Sequence, residues 1–109
     1  CPFVFTTQPE SVIEAKTQIS ALNRRLAEKR LEITGITRDQ ERMRENLKAM
    51  GKSEEEKQLV QRYVGKIAQG EDQLERVRLE EKKLTEEKDS RQNQLDERIR
   101  KLAMEHRLN

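Results

Sequence analysis

The sequence predicts an all-α chain: a two-helix antiparallel coiled-coil hairpin preceded by a short extended N-terminal arm. Three observations carry that expectation. The 109 residues are 40% charged and only 32% hydrophobic, with no Trp; so little aliphatic and aromatic bulk cannot fill a globular core and must be buried along a narrow seam. The apolar residues recur at alternating spacings of three and four, the pattern of a coiled-coil stripe. That pattern breaks at Met50-Gly51-Lys52-Ser53-Glu54-Glu55-Glu56, where a helix stop and a helix start stand side by side. Disorder would share the high charge, but periodic apolar residues and few Pro and Gly oppose it.

Residues 1–9 carry both prolines and both phenylalanines and read as an extended arm. Thr7 and Glu10 have the spacing of a capping box with Pro9 between them, which places the start of the first helix at residues 8–10, and we take that helix as 10–50. Its seam is Val12, Ala15, Ile19, Leu22, Leu26, Lys29, Ile33, Ile36, Gln40, Met43, Leu47 and Met50, apolar except at Lys29 and Gln40. At the turn, 51–53, Gly51 is expected to close the helix in the left-handed conformation. Ser53 and Glu56 form a capping box that opens the second helix, 54–107.

The second seam runs Val60, Tyr63, Ile67, Gly70, Leu74, Val77, Glu81, Leu84, Lys88, Arg91, Leu95, Arg98 and Leu102, with Ile99 suggesting a register shift near the end. Thr85–Gln94 holds no apolar residue, so charge pairs and aliphatic stems must hold it, or it packs loosely. A short connection makes the helices antiparallel. A dyad between Gly51 and Ser53 would pair residues whose numbers sum to about 104, an estimate resting on that antiparallel geometry. Gly35 would then lie level with Gln69 and Gly70, either as a small-residue layer or as a bend where a partner docks. Leu95, Ile99 and Leu102 would run past the first helix, beside Phe3, Val4 and Phe5, and the arm is expected to fold onto them because apolar surface left in water costs free energy.

No catalytic constellation, cofactor loop or metal-ligand spacing is legible. His106 is the lone histidine and sits near the end of the chain, where a solvated role outweighs metal or base work. Cys1 has no histidine near it in sequence to serve as a base. Pairs such as Glu80-Glu81 lie on a solvated helix, without the burial that tunes acid–base groups. Gly65 and Gly70 are isolated and make no phosphate loop. The 23 basic and 21 acidic residues are interleaved, so no clustered basic face calls for nucleic acid, and no apolar run is long enough to cross a bilayer. The first residue is Cys1 rather than Met, which suggests an excised domain or processed product; a lipoprotein start is the less natural alternative, because Pro-Phe-Val-Phe makes a poor tether.

One resemblance enters at residues 37–74. The run from Thr37 to Gly51, which contains Arg44-Glu45-Asn46-Leu47, then Arg62-Tyr63-Val64 and Glu71-Asp72-Gln73-Leu74, resembles the C-terminal helical hairpin of large bacterial proteins similar to the mucoidy inhibitor family. That resemblance implies a bacterial, envelope-associated parent in which the hairpin is appended to β-rich domains, and it carries over no catalytic residue.

The expected function is therefore a non-enzymatic interaction or spacer module, a fragment of a larger protein. Asn46, Arg62 and Tyr63 are candidates for a structured tip, with Tyr63 read first as a seam residue. The expected partner is a protein or a second hairpin in a four-helix assembly. The rivals are an RNA-binding arm of the kind that synthetases use and a chaperone-like tentacle, the latter opposed by the polar tip.

Overall fold

The computed structural model describes residues 11–108, apart from the side chain of residue 108. Two helices, α1 (Val12–Lys48) and α2 (Glu54–Leu108), form an all-α antiparallel hairpin, with no strand among the described residues. The arm at 1–9 and the Thr7–Glu10 box lie outside the described residues. The cap of α1 is instead Ser11, whose hydroxyl accepts the Glu14 N–H at 3.1 Å while its carbonyl accepts the Ala15 N–H at 2.9 Å. Ser-x-x-Glu is itself a capping spacing, so α1 begins at Val12 rather than at residue 10.

Within α1 the β-branched run around Gly35 stays helical. The Thr34 hydroxyl donates to the Arg30 carbonyl at 3.0 Å, which gives the side chain a partner without displacing the backbone ladder. Thr17 does the same with the Ile13 carbonyl at 2.9 Å.

The chain divides into two compact units, one holding Leu26–Lys83 with the turn, the other the chain up to Arg25 and from Leu84 onward. In the turn unit the expected seam is where burial falls: Leu26, Leu74 and Val77 are buried, and Ile33, Ile36, Met43, Leu47, Tyr63 and Ile67 are half-buried. Leu26 and Val77 keep only 2% of their surface, and each such side chain contributes about 1.5–3 kcal/mol by leaving water. In the other unit Ile19, Leu22, Leu84 and Leu95 are buried on the same pattern.

The register differs from the one expected. In the turn unit Lys29 meets Glu80, Arg30 meets Glu81, and Gln40 lies against Gly70, pairs whose numbers sum to 109, 111 and 110. In the other unit Arg91 donates to Gln18, and Ala15 and Leu95 line one groove, with sums of 109 and 110. Two heptad ladders can slide by seven residues and still match seam position to seam position, and an estimate near 104 belongs to the ladder one heptad away.

Polar chemistry selects between the two. The slipped alternative sets Gln40 level with Tyr63, Lys29 with Leu74, and Ile33 opposite Gly70. The observed one sets Lys29 level with Glu81 and folds Gln40 into the space Gly70 leaves. It also places Lys48 level with Arg62, so the first two turns of α2 run past the last residue of α1.

Three further expectations change with the register. Gly35 is level with Glu75, is exposed, and has nothing within 4 Å of where a Cβ would stand; it is not part of a layer with Gly70. Leu95 is buried at the level of Ala15 rather than beyond α1. No register shift occurs near the end of α2, because Arg98 is half-buried while Ile99 is 42% exposed. The expected arm contact at that end lies outside the described residues. The stretch Thr85–Gln94 is not loose: Thr85, Lys88, Arg91 and Gln92 are half-buried, and Gln92 donates to Asp96 at 3.0 Å.

The two glycines should respond oppositely to alanine. Gly35→Ala removes a helix-interior glycine at no steric cost and should raise stability by up to about 1 kcal/mol. Gly70→Ala gains the same propensity, but its Cβ would stand 2.8 Å from Gln40 Nε2, and overpacking a buried neighbour costs about 1–3 kcal/mol. It should lower stability unless Gln40 is also truncated. Urea denaturation of the three variants checks this, and a stabilised Gly70→Ala single variant would overturn the notch.

Candidate interaction surfaces

The turn spans the five residues from Ala49 to Ser53. After Lys48 the chain tightens, with Ala49 N–H bonding to the Asn46 carbonyl and Met50 N–H to the Leu47 carbonyl, both at 3.2 Å. Gly51 then follows without a positive φ, contrary to the left-handed closure expected from sequence. The reason lies across the turn. The Gly51 N–H, which a left-handed cap would return to a carbonyl of α1, donates to Glu56 Oε2 at 2.5 Å.

The other carboxylate oxygen accepts the Ser53 hydroxyl at 2.7 Å, and the Ser53 oxygen accepts the Glu56 N–H at 3.1 Å. The capping box is thus present, with its glutamate extended to clasp the end of the previous helix. A Cβ at Gly51 would stand 3.1 Å from that carboxylate, so a side chain there would push the clasp by a few tenths of an ångström, and glycine contributes close approach rather than dihedral freedom.

The N–H of Gly51 and then the Ser53 hydroxyl hold the Glu56 carboxyl below the ordinary carboxylate range. Lys29 and Glu80 shift each other in the complementary directions: the ammonium hydrogen-bonds the carboxylate at 2.5 Å, raising Lys29 and lowering Glu80.

The second surface is the Gln40 notch. Gln40 is a buried polar residue, 3% exposed, and its amide donates to the Ile67 carbonyl at 3.1 Å and toward Glu71 Oε1 at 3.4 Å. Glu71 also accepts from Arg44 at 3.2 Å. A groove of about 150 Å³ opens beside this layer, with Ile36, Met43, Lys66 and Gln73 among its walls. No buried side-chain polar atom among the described residues lacks a hydrogen-bond partner.

The remaining candidates are not brought together. Asn46 and Arg62 are exposed near the turn, and Tyr63 is half-buried at its seam position, level with Leu47. Gly35 faces open space and Gly70 backs Gln40. His106 is exposed. Among the described residues no group of His, Cys, Asp or Glu is arranged to hold a metal ion, and no helix is long and apolar enough to cross a membrane.

What sequence reading missed is a line of adjoining grooves in the unit away from the turn. One is lined by Ala21, Leu22 and Arg25 with Glu87 and Arg91, the next by Ala15, Leu95 and Arg98 with Arg91, and the third by Gln94, Glu97, Arg98 and Lys101. The available signal was the coincidence of small residues on α1 with cations at seam positions of α2. Comparison with known proteins finds no matching family model, no similar curated protein and no similar solved structure.

The Glu56 clasp should show in the pH dependence of stability. A depressed folded pKa means that its contribution is fully present above the unfolded value and is lost as pH falls through the folded one. Thermal melts from pH 7 downward should show wild type losing its advantage over Glu56→Gln below the ordinary carboxylate range near 4.5. A constant gap between the two proteins down to acid pH would remove the clasp.

Proposed function

We propose that the chain is a non-enzymatic coiled-coil module that serves for interaction or as a spacer, within a larger bacterial protein of the kind that residues 37–74 resemble. The observation that carries this reading is where the polar seam side chains are spent. Gln40, Lys29 and Glu80 are engaged with each other's helices at short distance, which fixes a register and leaves them as braces rather than as reagents. A buried polar residue at one seam position is the established way for a coiled coil to specify one alignment. Precise alignment matters to a module that presents a defined surface to a protein partner or to a second hairpin in a four-helix assembly. The exposed carboxylates lack the burial that acid–base work requires.

Light scattering of the chain, combined with capture of partners at several salt concentrations, tests the proposal. A defined complex or oligomer is expected, and a monomer that captures nothing leaves the spacer role. Capture of RNA with an affinity falling steeply as salt rises would overturn it in favour of a nucleic-acid arm.

A further inference from the structure

We infer that α1 pairs back to back with α1 of a second copy, antiparallel and about a twofold axis at Gly35; this rests on the interaction reading above and names the partner. The contact lies wholly within the turn unit. Glu28, Gly35 and Arg42 follow one another at heptad spacing with Leu31 and Arg38 between them, so the five make one strip on the outside of α1, about 21 Å long at 1.5 Å per residue. All five are exposed, and none is a seam residue.

The order of charge along the strip is self-complementary. Glu28 and Glu32 precede Gly35 by seven and three residues, and Arg42 and Arg38 follow it by the same intervals. On a twofold axis at Gly35, Glu28 stands level with Arg42 of the second copy and Glu32 with Arg38, and an isologous contact makes each pair twice. A parallel mate would set every one of these charges against itself. A slip of one heptad would put Arg42 over Gly35 and Glu32 against Glu45. Opposed like charges are the repulsive element that excludes such alignments.

The chain itself leaves these charges lightly held. Glu28 and Arg38 make no ion pair among the described residues. Arg42 meets Asp39 at 3.3 Å and Glu32 meets Lys29 at 3.7 Å, both exposed pairs one turn apart on the same helix, a kind that adds little stability.

Gly35 supplies the close approach. Nothing stands within 4 Å of where its Cβ would be, so the glycine serves no contact inside the hairpin, although it weakens the middle of a helix. At the axis it lets two backbones meet. Leu31, 73% exposed, then lies one residue's rise from Arg38 of the second copy, whose aliphatic stem can cover it. One helix against one helix is a contact at the small end of interfaces, below about 1,200 Å², so the dimer is a weak one.

The test uses the whole chain with Cys1→Ser. Oxidation of Gly35→Cys by glutathione disulfide should give a disulfide-linked dimer at least tenfold faster than Gly65→Cys, whose position is also exposed and open. Sedimentation over a concentration series should show a reversible dimer for wild type and monomers for Glu28→Arg with Glu32→Arg and for Arg38→Glu with Arg42→Glu, each checked for helicity by circular dichroism. Mixing the two charge variants should restore a dimer of one chain of each. Equal crosslinking at 35 and 65, or dimers that persist in either charge variant alone, overturn the twofold at Gly35. A wild type that stays monomeric overturns it too. If that monomer still captures another protein, the interaction reading survives; if it captures nothing, only the spacer role remains.

Discussion

In the unit that contains the turn, alignment depends on one side chain filling the absence of another. Gln40 is long enough to cross the seam, and Gly70 is the residue opposite that leaves it room; the amide ends on the Ile67 carbonyl and beside Glu71. Apolar contacts alone would not choose this arrangement, because leucines and isoleucines a heptad apart are nearly equivalent knobs. A buried amide is not so forgiving. Moved by seven residues it would face Tyr63 and lose its carbonyl partner, and a buried donor without a partner costs about 1–3 kcal/mol.

Charge works with the same sign. Lys29 occupies a seam position where its stem is covered and its ammonium reaches Glu80 at 2.5 Å, while Arg30 reaches Glu81 at 3.2 Å. Exposed ion pairs add little stability singly. Their contribution is discriminatory, since the slipped alignment would set Lys29 against Leu74. At the turn, the Glu56 carboxylate ties Gly51 and Ser53 together, so the cap of one helix doubles as the terminator of the other. The turn is therefore a hydrogen-bonded corner that does not depend on an unusual glycine dihedral.

The two units spend their seams differently. Around the turn, polar seam residues meet partners on the opposite helix. Away from it, Arg91 donates to Gln18 across the seam and lies beside Glu87 on its own helix, and Lys88 and Arg98 stand half-buried opposite the levels of Leu22 and Val12.

The sequence by itself determined the helices, the position of the corner and the residues that line both seams, because spacing of three and four and the Ser53–Glu56 box are local properties of the chain. Every seam position from Val12 to Met50 and from Val60 to Arg98 is buried or half-buried. The tertiary structure decided the register, the use of Gly70 as a notch while Gly35 faces solvent, and the grooves lined by Ala15, Ala21, Arg91 and Arg98. Each of these depends on which residues of two distant segments stand at one height, and a heptad repeat is periodic: it reports the face a residue occupies and leaves open which turn of the other helix it will meet.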